Sequence, residues 1–366
     1  MGRLKGAIET TEGYKNDYLQ KARKSFGIAA EQITFRMHLN LLFFSIIVMS
    51  ASASNLLDEE WNTWKEKYEK KYASSEDELF RRKAWEVNWD KVTKHNQLAD
   101  QGLKKYTMAM NHFADMTSEE MNSRNCFLPT HYPSKHKPAP RYNVKHAKIS
   151  KGVDWRDSNC ISPVKNQGYC GSCWAFATVG VLEALHCLNG NELHNLSEQQ
   201  LVDCDPIDHG CCGGFPINAI DYITQEGIMK SEDYEYEEKQ FYCRYDSSNA
   251  IQLNVSKYYV LPNEENMASS VAKDGPITVG FGVNRDFMLY SKGIFDGECA
   301  PRPNHAIIIV GYGTLHCEEG KDDGEDYWII KNSWGTEWGE DGFGKIMRNK
   351  DMCGISEFAA SLELKP

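Results

Sequence analysis

The chain has 366 residues, 41% apolar and 25% charged, which is enough apolar side chain to bury a core and too much for a disordered tail. Its 52 Asp and Glu against 41 Lys and Arg leave a net charge of −11, which argues against a dedicated nucleic-acid binder. Twelve Cys point to an oxidising compartment, and the length accommodates two or three structural units.

In chain order, the first marked feature is the apolar run Leu41–Met49, followed by small residues from Ser50 to Ser54. It is far shorter than the about 20 residues of a membrane span, so it predicts no stable membrane anchor. A short apolar core before small residues reads as a secretory signal over 37–54, beginning at Met37. Residues 1–36 are then an N-terminal extension that the signal does not need, and the rival reading is an uncleaved amphipathic anchor. From 55 to about 125 the chain is highly charged, with Trp61, Trp64 and Tyr68, then Phe80, Trp85, Trp89 and Val92, at helical spacing. This predicts amphipathic helices carrying one aromatic stripe. The stretch from His131 to Arg141 is basic and rich in Pro, an extended and cleavable linker.

Near residue 150 Gly, Cys and aromatic residues become frequent, and the main boundary falls there. Residues 172–188 are apolar nearly all round, so they predict a helix enclosed by protein, with Gly190 ending it. Ser197-Glu-Gln-Gln200 has the form of a capping box opening a second helix. Strand-like runs follow at 277–279, 307–310 and 327–330. Helices first and strands second predict an α+β protein with two unlike lobes.

The richest stretch is Asn166-Gln-Gly-Tyr-Cys170-Gly-Ser-Cys173-Trp-Ala-Phe176. A Cys at the start of a buried helix lies near free backbone N–H groups and the positive end of the helix dipole, both of which favour thiolate. His305 opens an apolar strand, and Asn332 follows another, so an amide oxygen is available to orient an imidazole ring. Trp334 would shield that bond from water. The pair Cys170 and Cys173 also fits a redox couple or half a zinc site, but no second ligand pair is spaced to complete one.

Cys-Gly-Ser-Cys173-Trp, with His305 132 residues on and Asn332 27 beyond it, resembles the papain family of cysteine proteases. Asp154-Trp155-Arg156, Gly210-Cys-Cys-Gly-Gly214 and Asn332-Ser-Trp-Gly335 extend the resemblance. It implies a papain-like fold with a helical lobe and a β-barrel-like lobe, preceded by a helical inhibitory propeptide. It assigns Cys173 as nucleophile, His305 as general acid and base, Asn332 as its orienting group and Gln167 as an oxyanion donor, with no cofactor and no metal. Asp77, Arg81, Trp85, Asn88, Val92 and Asn96, then Met108 to Asp115, follow the propeptide motifs of the cathepsin L-like branch, with Ala109 where Gly is usual. The implied domains are 37–54 signal, 55–149 propeptide and 150–366 peptidase, after the extension 1–36.

The resemblance further implies a substrate cleft at Gly213, Gly214, Phe215, Pro216, Gly280, Ala306, Trp334 and Phe358. Phe215, Pro216, Gly280, Ala306 and Phe358 are uncharged, so a hydrophobic residue two before the scissile bond is expected, and the six residues between Cys204 and Cys211 leave no room for the occluding loop of cathepsin B, which implies an endopeptidase. Gly280 and Phe358 resemble cathepsin S more than cathepsin L, and Pro216 departs from both. The implied disulfides are Cys170–Cys211, Cys204–Cys243 and Cys299–Cys353. Cys160, Cys187, Cys212 and Cys317 remain, with three pairings open, and Cys187 also reads as a small buried thiol. Asn195 and Asn254 fit the glycosylation pattern. Expected partners are peptide substrates, the chain's own propeptide and cystatin-like inhibitors, for a monomer in the secretory pathway that works in lysosomes or outside the cell. The rival from another class is a catalytically silent binding relative, and the acidic run 318–326 reads as a solvated hairpin tip rather than a cation loop.

Overall fold

The computed structural model describes residues 56–123, 127, 150–315 and 324–365, with position 24 besides. The expected signal at 37–54, the linker at 131–141, Cys126, Cys317 and residues 318–323 of the acidic run lie outside the described residues. The chain divides into two compact units, Met1–Lys71 and Tyr72–Pro366. In the first, residues 56–67 form helix α1. Its three-and-four spacing stacks Trp61 on Trp64 at 5.3 Å and brings Trp64 to 5.6 Å from the Tyr68 ring.

The second unit opens with α2 (Ser75–Asp100), whose N-cap Ser74 accepts a hydrogen bond from the Asp77 N–H while Glu76, Asp77 and Glu78 face the positive end of the dipole. Its buried face is Trp85, Asn88, Val92 and His95, not the aromatic stripe expected from the sequence. Phe80 is 50% exposed, because five residues separate it from Trp85, about 140° around the helix. The polar members of the face are there to bond backbone. Asn88 Nδ2 donates to the carbonyls of Ala114 and Met116, and Asn96 makes a two-way bond with the Met108 backbone.

The chain continues through β1 (Tyr106–Met108), α3 (Ser118–Ser123) and β2 (Val153–Asp154), then α4 (Cys173–Leu188), α5 (Glu198–Cys204) and α6 (Pro216–Glu226). The short pair β3 (Ile228–Met229) and β4 (Ala250–Ile251) is followed by β5 (Val255–Val260), α7 (Glu264–Lys273), β6 (Ile277–Phe281) and α8 (Arg285–Met288). Then come β7 (Tyr290–Phe295), β8 (His305–Leu315), β9 (Glu325–Lys331), β10 (Phe343–Met347) and β11 (Ala359–Leu364). The main sheet runs β1-β7-β10-β9-β8-β6-β11-β5, with β2 added on β8. Neighbours are antiparallel except β7 and β10. The fold is α+β: helices α4 to α6 pack together, and α4 also lies against β8.

β8 is buried from His305 to Gly313 because α4 and α7 both pack on it, which is why its sequence is a continuous apolar run rather than an alternating one. α4 is enclosed for the same reason, with every residue from Cys173 to Val179 buried. Ser197 caps α5 through the Gln200 N–H, but the box does not close. Gln200 Oε1 accepts from Met229 N at 2.7 Å instead, tying α5 to β3.

Among the described residues four disulfides staple this unit: Cys160–Cys187, Cys170–Cys211, Cys204–Cys243 and Cys299–Cys353. Cys187 is therefore bridged rather than a buried thiol, since the turn before α4 brings the Cα atom of Cys160 within 5.4 Å of its own. Cys212 is exposed and has no disulfide partner among the described residues. No helix among the described residues is long and apolar enough to cross a membrane. Replacing Cys160 and Cys187 by Ala, in a Cys173→Ser background, is expected to cost about 3 kcal/mol in urea unfolding, as for other loops of this size. A loss under about 0.5 kcal/mol would show that the bridge constrains nothing.

Candidate active site

Cys173 is the first residue of α4 and is 0% exposed. Ser172, at the N-cap, spends its hydroxyl on Tyr236 at 2.6 Å rather than on the helix, and no acidic side chain sits in the first turn. The sulfur is thus at a helix start whose N–H groups and dipole are not neutralised by a side-chain cap.

His305 is the first residue of β8 and is fully buried. Its Nε2 lies 2.8 Å from Asn332 Oδ1, an acceptor, so Nε2 carries the proton and Nδ1 keeps its lone pair. Nδ1 has no hydrogen-bond partner among the described residues. Asn332 directly follows β9, and its Oδ1 also accepts the Ser333 N–H at 2.8 Å, which fixes the amide plane. The Trp334 ring stacks on the imidazole at 4.5 Å and 24°, and Trp338 and Phe113 lie nearly perpendicular to it. Burial pushes the His305 pKa down to about 4, only partly opposed by the Asn332 bond. In this closed state the ring is neutral, and its unused nitrogen is able to take up one proton.

Gln167 joins the segments around Cys173 and Asn332. Its backbone N–H donates to the Ser333 carbonyl at 2.8 Å, and its Oε1 accepts the Ser333 hydroxyl at 2.6 Å. One N–H bond of Nε2 goes to the Cys170 carbonyl at 3.0 Å, and the amide has a second one to give. Beneath this seam lies a buried charge cluster. Lys165 Nζ contacts Glu183 at 2.7 Å and Glu198 at 2.6 Å, while Lys331 Nζ donates to Ser162, which donates to Glu183. Burial pushes the Lys331 pKa down to about 8.

The pocket side is built on glycine. A Cβ on Gly214 would come within 2.7 Å of both the Trp174 ring and the Asp208 carboxyl, so only glycine lets the chain pass there. Phe215, Pro216, Gly280 and Phe358 surround one cavity of about 210 Å³, and a Cβ on Gly280 would approach the Phe127 ring to 2.9 Å. Ala306 pairs with Gly280 across the sheet but lines a different, smaller cavity beside Lys331 and Asn332. The sequence reading missed Glu357, an exposed carboxylate that also lines the larger cavity, so the pocket is not free of charge. Its position next to Phe358 was the available signal. Phe127 enters from the N-terminal side of the peptidase: its N–H donates to the Asn304 carbonyl at 3.0 Å, it bridges Gly214 in parallel, and its ring sits 5.4 Å from Phe215 and 5.5 Å from Phe358. Among the described residues no group of three His, Cys, Asp or Glu side chains is arranged to hold a metal.

Residues 149–362 match the model of the papain family cysteine proteases, and residues 61–121 match the cathepsin propeptide inhibitor domain. Bovine (Bos taurus) cathepsin S is 37% identical over 344 residues, 89% of this chain and all of the relative. A cathepsin L-like proteinase of Fasciola hepatica is 37% identical, over 88% of this chain and 98% of its own. Among solved structures, digestive procathepsin L 3 of Tenebrio molitor larval midgut superposes with a TM-score of 0.76 at 37% identity, covering 84% of this chain and 99% of that one. The chain belongs to the papain family of cysteine proteases. It is a cysteine endopeptidase made as a zymogen, carrying its own propeptide inhibitor and acting on peptide substrates.

Lys165→Met strands two buried carboxylates, so the Cys173→Ser precursor carrying it should lose about 3–5 kcal/mol of unfolding free energy in denaturant titrations. A change below about 1 kcal/mol would mean that Glu183 and Glu198 take up protons at no cost.

Proposed function

We propose that Cys173, His305, Asn332 and Gln167 form the catalytic group of this endopeptidase. The His305 ring, held at Nε2 by Asn332 and roofed by Trp334, is the observation that carries the reading. Removal of the covering segment opens the ring to water and relieves its burial. The Cys173 thiol proton passes to Nδ1, and the thiolate attacks the substrate carbonyl. The developing oxyanion accepts from the Cys173 N–H and from Gln167 Nε2. His305 then gives its proton to the leaving amine and takes one from the water that hydrolyses the thioester.

The inhibitory segment is assigned to 55–149 and the peptidase to 150–366, with 37–54 as signal. Phe127 in the pocket of Phe215 and Phe358 supports a segment that blocks substrate while it remains attached. The same aromatic walls favour a hydrophobic side chain two residues before the scissile bond, with Gly213, Gly214 and Trp334 lining the cleft. We assign the enzyme to the secretory pathway, lysosomal or extracellular, as a monomer open to cystatin-like inhibitors. Asn195 and Asn254 are both exposed, as glycan acceptors must be.

An epoxide thiol trap tests the assignment after acid processing. Labelling of Cys173 with matching loss of peptidase activity is expected, whereas activity surviving complete labelling would defeat it. Cys173→Ser should leave the precursor folded and uncleaved if processing is autocatalytic. Gln167→Ala is expected to lower kcat by ~10²–10³ and to cost about 2 kcal/mol of stability for its two lost side-chain bonds. A near-normal kcat would remove Gln167 from the oxyanion site.

A further inference from the structure

Behind the pocket wall, two acidic side chains face each other away from water. Asp205 and Asp208, just after α5, are 6% and 7% exposed. Asp205 Oδ1 accepts from the backbone N–H of Ile207 at 2.9 Å and of Asp208 at 3.3 Å, a tight turn that brings the two carboxyl groups within hydrogen-bond reach of each other. Asp208 Oδ1 accepts from Phe215 N at 3.0 Å and from Asn218 Nδ2 at 2.9 Å. This leaves Oδ2 of Asp205, Oδ2 of Asp208 and Oδ1 of the fully buried Asn218 with no donor among the described residues.

Among the described residues no cationic side chain makes an ion pair with Asp205 or Asp208. From α4 the neighbour is the Trp174 ring, on the other side of Gly214. From α6 come Asn218 and Tyr222, whose phenol is raised by burial and in small part by the Asp205 charge. On α5, Asp203 is committed to Gln199, Tyr234 and the Phe241 N–H. The adjoining turn offers His209, which is exposed. Two adjacent buried carboxylates in a low-dielectric site resist both staying ionised. A metal ion between them finds no third carboxylate, Cys or His ligand among the described residues. One proton removes the repulsion and supplies the missing donor.

We infer that Asp205 and Asp208 share a single proton, and that the protonated pair is a positioning device that holds Phe215, the aromatic wall of the substrate pocket, through its backbone N–H. This rests on the assignment of that pocket to the residue two before the scissile bond. Burial, and then the charge of Asp205, push Asp208 up to about 8, and burial raises Asp205 as well. In the unfolded chain both carboxyls lose their protons near pH 4, so stability from the pair falls as pH rises from about 4 to about 8. Above that the second ionisation drives the carboxylates apart and frees the Phe215 N–H.

The test is KM and kcat of the acid-processed enzyme between pH 5 and 9, on peptides with Leu or Phe two before the scissile bond. KM should rise about tenfold from pH 7 to 9, following the loss of the protonated fraction. Asp208→Asn keeps an acceptor for Phe215 N and removes the titration, so its KM should stay flat over that range, while Asp208→Ala should raise KM at every pH. A wild-type KM that stays flat, or an Asp208→Asn variant that keeps the rise, would overturn the inference. A protonated-carboxyl infrared band at pH 7.5, lost in Asp208→Asn or Asp205→Asn, is the second readout. Its absence, or a stability that responds to chelator or added calcium instead, would replace the proton with a cation. Indifference to the residue two before the scissile bond, with the band present, would defeat only the pocket assignment.

Discussion

A single imidazole ring, fixed at both its edge and its face, is the constraint on which the peptidase half depends. The Asn332 bond at 2.8 Å sets the tautomer, and the Trp334 stack at 4.5 Å sets the ring plane. Neither contact is local, since β8 delivers His305 and the turn after β9 delivers Asn332 and Trp334. The β8–β9 ladder, which pairs Ile308 with Lys331, therefore places the ring against its partners. Burying an imidazole this completely disfavours its charged form. The same geometry that orients the ring also keeps it neutral. Phe113 against Trp334 and Phe127 against the Asn304 carbonyl bracket the site.

The seam below the site carries polar groups inside the apolar packing of α4 on β8. Gln167 links both sides of it to Ser333, and Lys165 carries two buried carboxylates. Such clusters add little net stability over well-packed apolar residues, but their loss is costly once half the partners remain. The Asp205 and Asp208 pair has the same character on the pocket side, where a proton does the work that Lys165 does at the seam. Both arrangements fix backbone positions by satisfied hydrogen bonds, which suits a site whose parts come from distant stretches of chain.

Much of this was legible in the sequence because it follows from local rules. The apolar run 173–185 read as an enclosed helix and the Ile307–Val310 run as a strand, and both are so. The meeting of positions 305 and 332 was readable through family resemblance, since nothing local says that they come together. Strands β7, β10 and β11 escaped notice because they are short, carry Gly or polar residues and exist through their pairing with distant partners. The α2 stripe was misread because Asn88 and His95 are buried for their hydrogen bonds, which hydrophobic periodicity does not register. Asp205 and Asp208 look like ordinary turn residues until burial is known. The Cys160–Cys187 pairing needed the Cα separation that only the fold supplies.

The most direct test is nitrogen NMR of the His305 ring at pH 6.5, in the intact precursor and in the processed enzyme. The closed chain should show a neutral ring protonated at Nε2, and the processed enzyme a ring protonated at both nitrogens opposite a thiolate. A doubly protonated ring in the precursor, or a neutral one after processing, would contradict the coupling between cover and charge.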